Sequence, residues 1–261
     1  MTPAETFERE LEIFRTEAES ATQFLYAYLA IHATAADNRA VFDLLNTAAL
    51  FWNTNLGALQ TATFIVLGRM FDQNSKHNID RLLGFAQKNA AIFSKAALGI
   101  RKQGQSATPP DWLSDYLATS YVPKPSDFRR LRILVKKHRK VYEARYRDIR
   151  HQWFAHKEIA DPAAIGALFA KTNTRELQRL VTFLGSLYDA LWELFVNGRK
   201  PVLRPRRYSV KEMRTRPTPE RMAKKVQERI TEETARFLQS AATPANITAV
   251  PRMKTRRNRV P

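Results

Sequence analysis

Apolar residues in the first part of the chain recur at steps of three and four. Phe7, Leu11, Phe14, Ala18, Ala21, Leu25, Tyr28 and Leu29 form one stripe, which predicts a helix over 5–33. Asp37 and Asn38 interrupt the stripe and offer an N-cap. The next run, 39–71, carries Val41, Leu44, Leu45, Ala48, Phe51, Trp52, Leu56, Leu59, Phe64 and Leu67. It predicts a single core helix of about eight or nine turns. The polar stretch Asp72-Gln73-Asn74-Ser75 ends it.

Residues 79–102 predict one or two shorter helices, followed by a loop from Gly104 to Pro110. Asp111 is placed to cap a short helix holding Trp112, Leu113, Tyr116 and Leu117. Pro123 and Pro125 break the pattern, and Ser126 opens a long helix to about residue 154. Phe128, Leu131, Val135, Tyr142, Tyr146, Ile149 and Phe154 lie on or near one face of it. A short segment starts at Asp161-Pro162. Thr174 is placed to cap a last core helix over 175–197, which Asn197-Gly198 terminates. Beyond Gly198 the segment 199–218 is proline-rich and basic, and reads as an irregular linker. Helical spacing returns over 219–240, before a basic tail read as disordered. No segment shows a sustained strand period. The expected fold is all-α: a bundle of long antiparallel helices over 1–198, with a basic helical and irregular C-terminal extension over 199–261.

Composition sharpens this outline. At 44% hydrophobic residues the chain can build a real core, and only 8 glycines in 261 residues disfavour a turn-rich β-architecture. With no cysteine, disulfides, thiolate zinc sites and thiol nucleophiles are excluded. No apolar stretch approaches the roughly 18 residues of a membrane span, and the acidic, amphipathic start is unlike an export signal. A cytoplasmic protein without a membrane partner is expected. The net charge of +18 is the strongest compositional signal. It favours a polyanionic partner such as nucleic acid or an anionic membrane surface. The excess is concentrated in 129–157, 199–216 and 252–259, while the first 70 residues are near neutral.

Motifs for nucleotide loops, HExxH zinc sites and serine elbows are absent, and no two histidines stand at i, i+4. No cofactor or metal is expected. Cleavage of a ribose phosphodiester without a metal needs a base for the 2′-hydroxyl and a cation for the charge that builds on phosphorus. Histidine and arginine supply these. Arginine followed six positions later by histidine occurs three times: Arg132/His138, Arg145/His151 and Arg150/His156. Over the three spacings with four, five or six residues between arginine and histidine, chance alone gives about one or two matches in so arginine-rich a chain. Arg150/His156 differs in context. It falls at a helix end, with apolar Trp153, Phe154 and Ala155 between the polar groups.

The segment RYRDIRHQWFAHKE at 145–158 resembles the signature of the HEPN superfamily. There an arginine, a polar residue and, a few positions on, a histidine stand near the end of a long bundle helix. Arg150, His151 and His156 match these positions. The stretch at 65–86 is similar to the abortive-infection branch of that superfamily, with Arg69, Phe71 and Asp72 as the matching residues. The resemblance spans about residues 5–198. It implies a homodimeric, metal-independent endoribonuclease, of a kind that serves as a toxin or phage-defence effector on tRNA or other RNA.

On that reading Arg150 and His156 are catalytic. His151 is a phosphate contact first, polar filler second and a catalyst third. Arg145, Arg147, Lys157, Arg204, Arg206 and Arg207 are expected to bind RNA. Arg69 and Asp72 are read first as buried structural contacts. On a straight helix six residues turn by about 240° and rise about 9 Å, so one chain's pair does not converge. A two-fold axis near the segment, or a helix end at His156, would bring the groups together. Two other readings stay open: a non-catalytic RNA-binding or assembly module, and a protein whose basic extension docks an acidic antitoxin or another defence-system protein.

Overall fold

In a computed structural model, residues 1–155, 161–206, 208–216, 219 and 223–243 are described; the side chains of Trp153, Ala155, Pro162 and Ile165 are not. His156, Lys157, Arg207 and the 244–261 tail therefore lie outside the described residues. Every regular element among those described is helical. The fold is an all-α bundle, as the patterning requires.

The chain divides into two compact units, Met1–Leu25 with Gln60–Arg207, and Tyr26–Leu59 with Tyr208–Pro261. The boundary falls inside helices α1 (Pro3–Asp37) and α3 (Ala49–Phe71). The predicted first helix and its Asn38 cap are found. The Asn38 side chain accepts from the Ala40 and Val41 amides and opens α2 (Arg39–Thr47). The single helix expected over 39–71 is two. The Asn46 amide donates to the Phe42 carbonyl, and the Thr47 hydroxyl to those of Asp43 and Leu44. These side chains satisfy the last carbonyls of α2 and compete with helix continuation. Ala48, at φ −131° and ψ 52°, breaks the run before α3.

The first unit continues with α4 (Ile79–Lys88), a 3-10 turn (Ala90–Phe93), α5 (Lys95–Gln103) and α6 (Leu113–Thr119). Asp111 does not cap α6, whose N-cap position is Trp112, with no side-chain cap bond. Helix α7 (Pro125–Arg145) begins one residue before the expected Ser126, with proline in the first turn, where its missing N–H costs nothing. Asp127 takes over the cap, accepting from the Lys124 amide and the Tyr121 hydroxyl. The long helix expected to reach 154 ends at Arg145, and a π-helical segment, Ile149–Ala155, follows. Helix α8 (Pro162–Ala170) is capped by Asp161. Helix α9 (Thr174–Asn197) is capped by Asn173 rather than Thr174.

The core of this unit is a stack of apolar stripes. Leu177, Leu180, Leu184, Leu187, Leu191 and Phe195 of α9 are buried at helical spacing. Phe195 meets Phe7 at 5.1 Å and Phe93 at 6.1 Å between ring centroids. Gly198 ends α9 in the left-handed region at φ 56°, and the Arg199 amide returns to the Glu193 carbonyl. A Cβ there would come within 2.5 Å of Leu98.

The second unit holds α2, the adjoining parts of α1 and α3, α10 (Val210–Thr215) and α11 (Val226–Ala241). Ile31, Val41, Leu238 and Ala242 form its core, with Leu44, Leu45, Trp52, Leu56 and Leu59 packed against them. Phe51, expected in a core helix, is instead 60% exposed. The linker expected to be irregular contains α10, capped by Ser209, and the helix expected from 219 begins at Val226.

Candidate active site

The last turn of α3 and the π-helical segment build one cluster. Tyr146, buried, follows α7 and donates from its hydroxyl to the Asn173 carbonyl at 3.0 Å and to Glu176 at 3.3 Å. Burial, before any other cause, pushes that phenol up to about 12. Phe154 packs between Phe64 of α3, at 5.3 Å, and Phe169 of α8, at 6.0 Å. With buried Ile149, these anchors hold the segment from both ends. Its turns are wider than α-helical turns, a geometry concentrated at functional positions.

The anchored segment carries Arg150 onto the C-terminal turn of α3. The Arg150 guanidinium is ion-paired with Asp72 through Nη1 and Oδ2. It lies directly over Gly68, where a Cβ would come within 2.5 Å of Nη1 and 2.6 Å of Nε. Gly68 and Asp72 are one turn apart, so the absent side chain and the carboxylate form a cradle on one helix face. A cation there also meets the negative end of the α3 dipole. Burial first, and the positive charge of Arg69 second, shift the Arg150 guanidinium down. It starts so high that it keeps its proton. His151 stands on the same carboxylate, with Nε2 3.9 Å from Asp72 Oδ2.

The two segments that carry the resemblance are thus in contact. Arg69 bonds Glu17 of α1 through Nε at 2.9 Å and Nη2 at 2.8 Å. Its side chain is 50% exposed, which corrects the expectation of a buried contact, because Glu17 meets it at the surface. Phe71 is buried and stacks on Tyr142 at 5.5 Å and 20°. Asp72 is 21% exposed and is held by its amide on the Gly68 carbonyl.

The remaining expected residues have other surroundings. Arg145 pairs with Glu176 at 3.1 Å. Arg147 is exposed. Arg204 and Arg206 are exposed, and the Arg204 amide donates to Ser186 Oγ of α9. His156, Lys157 and Arg207, as noted, are outside the description. His138, of the Arg132/His138 match, stacks on Phe183 at 3.8 Å and bonds the Leu134 carbonyl. That is packing between α7 and α9, with the ring half-buried.

Three residues of the cluster were missed. Gly68 had a signal: a glycine inside a helix costs about 1 kcal/mol against alanine and implies close approach. Glu17 had none. Arg139, nearly buried, donates through Nε to the Phe71 carbonyl at 3.0 Å and through Nη2 to Asp80 at 2.5 Å. Its position four residues after Val135 places it on the buried stripe. The turn after Asp72 is fixed by buried Asn78, whose amide donates to the Gln73 and Ser75 carbonyls.

Among the described residues no group of three or more His, Asp or Glu is placed to hold a metal ion, and no helix is long and apolar enough to cross a membrane. A comparison with known proteins matches the family model HEPN_AbiU2, described as AbiU2, over residues 4–213. No curated protein and no solved structure matches the chain.

Proposed function

The chain belongs to the AbiU2 family of HEPN abortive-infection proteins, and we propose that it is a metal-independent endoribonuclease acting as a toxin or phage-defence effector. The observation that supports this most is that Asp72, which follows Arg69 and Phe71 at the end of α3, meets both Arg150 and His151, joining the two segments that carry the resemblance. On this reading the mostly buried guanidinium, held by a carboxylate, is a phosphate site in its resting state. RNA phosphate competes with Asp72 for it and offers two oxygens to the arginine fork.

In this reading Arg150 neutralises the charge that develops on phosphorus and His156 takes the 2′-hydroxyl proton. The products are a 2′,3′-cyclic phosphate and a 5′-hydroxyl. Arg147, Lys157, Arg204, Arg206 and Arg207 draw the RNA backbone in, and Arg145 joins them by exchanging Glu176 for phosphate. Two copies of the chain meet near this segment and share one cleft. The substrate, tRNA or another RNA, sits on the basic surface of a chain of net charge +18.

Incubation of the purified protein with total RNA in EDTA tests this. Fragments bearing 2′,3′-cyclic phosphate are expected from wild type. Arg150→Ala and His156→Ala are expected to lose about 10²-fold or more. Undiminished cleavage by a folded His156→Ala variant contradicts the reading. Binding without cleavage by wild type supports the non-catalytic RNA-binding module instead.

A further inference from the structure

Within one chain the Arg150/His156 pair supplies one cation and one proton-transfer group; in a shared cleft the second copy's His156 is the rival source of the second proton, which the His151→Gln comparison below distinguishes. Transphosphorylation moves two protons, one off the 2′-hydroxyl and one onto the departing 5′-oxygen. An alkoxide is a poor leaving group, so the second transfer needs its own donor. The candidate cluster contains one: His151, beside Arg150 and on the same carboxylate. We infer that His151 is the general acid of the reaction and that Asp72 positions it. This inference rests on the ribonuclease reading above.

The geometry gives the assignment its direction. Asp72 Oδ2 lies 3.9 Å from His151 Nε2, and the Asp72 backbone is held at the end of α3 by the hydrogen bond its amide donates to the Gly68 carbonyl. At that separation the two groups make no hydrogen bond, and the carboxylate acts through its charge, which favours an imidazolium beside it. Nδ1 is then the nitrogen that delivers the proton. The side chain of His151 is 39% exposed, so RNA reaches it without unfolding. Arg150, its chain neighbour, holds the phosphoryl group to which the departing oxygen is bonded.

Among the described residues, charged groups stand on three elements beside His151. From α3 come Asp72 and Arg69, the latter neutralised by Glu17 of α1. Its own segment brings Arg147, Asp148 and Arg150. Helix α8, packed against the π segment, carries no titratable side chain. One carboxylate is therefore shared between a permanent cation and an imidazole. When phosphate takes Arg150, Asp72 is left to His151 alone.

The step balances without water or a co-reactant. His156 removes the 2′-hydroxyl proton as the 2′-oxygen bonds to phosphorus. The bond from phosphorus to the 5′-oxygen breaks, and His151 protonates that oxygen. The two imidazoles end in exchanged protonation states and reset through solvent.

The test compares one mapped RNA substrate with its analogue carrying sulfur in place of the scissile 5′-oxygen. A thiolate leaves without a proton, since a thiol pKa is about 8.5. Wild type is expected to cleave both. His151→Gln is expected to lose about 10²–10⁴-fold on the oxygen substrate and to recover to within about tenfold of wild type on the sulfur substrate. The alkaline limb of the kcat/KM profile, where the acid loses its proton, is expected to vanish in the variant. Asp72→Glu is expected to keep more of the oxygen activity than Asp72→Asn. Equal losses on both substrates in a folded His151→Gln variant overturn the assignment, as does no loss on either. A wild type that cleaves neither substrate overturns the ribonuclease reading itself, and this inference with it.

Discussion

Gly68 and Asp72 divide the holding of Arg150 between space and charge. Alanine at 68 favours the helix by about 1 kcal/mol but drives a methyl into the guanidinium. Displacing the ion pair offsets or exceeds that gain, so Gly68→Ala is expected to leave the melting temperature unchanged or lower it by a few degrees, while RNA cleavage falls about tenfold or more. Full activity in that variant contradicts the cradle. Asp72→Asn removes the carboxylate from a mostly buried pair. A loss of about 1–3 kcal/mol in urea unfolding is expected, the range for a charge-assisted bond whose partner is left behind. The members of this cluster differ in how far the sequence revealed them. Asp72 ended an apolar run, and Arg150 stood next to apolar anchors. Glu17 lies on another helix at a position that only the docking of α1 beside α3 defines. Arg139 read as one more charge in a charged helix, although its spacing from Val135 marks the inner face. Its Phe71 and Asp80 partners are supplied by tertiary contact.

Helix types and ends follow local chemistry, and the misreadings are local too. A continuous α-helix from 126 to 154 fits Tyr142, Tyr146 and Ile149, and its period next reaches 153. The anchor in the structure is Phe154, one residue later, set by Phe64 and Phe169. The π segment absorbs that extra residue. A period count sees a slightly broad stripe and cannot find the widened turn. The break at Ala48 depends on Asn46 and Thr47 turning back on the helix, which their identity permits but does not require. Between α7 and α9, His138 lies flat on Phe183, and burial holds its imidazole below the ordinary value. Both states are neutral above about pH 6.5, so no stability is lost there. As pH falls below that, the unfolded chain takes up the proton first and the fold weakens. His138→Phe is expected to flatten the decline in stability from about pH 6.5 downward, read from urea midpoints. An unchanged slope contradicts a buried neutral ring.

At the scale of the whole molecule, the chain assembles units that are not contiguous in sequence. The extension after Gly198 read as an appendage because its composition changes there. Yet Leu238 and Ala242 of its terminal helix form one core with Ile31 and Val41. Such long-range pairing leaves no periodic trace. Leu238→Ala is expected to cost about 2–5 kcal/mol in the unit containing it, and truncation after residue 207 is expected to expose that core and promote aggregation. A truncated protein as soluble and as stable as the full chain contradicts this. The net charge of +18 was legible at once and favours a polyanion, RNA on the proposed reading. RNA affinity is expected to fall steeply with salt, with a log–log slope of about −0.7 per phosphate contacted.

The most direct test is to map RNA ends in cells after brief induction of wild type and of His156→Ala. The account predicts new 5′-hydroxyl ends, paired with 2′,3′-cyclic phosphates, at defined RNA sites in wild type and none in the variant. Identical RNA ends in the two, with both proteins equally abundant, would contradict it.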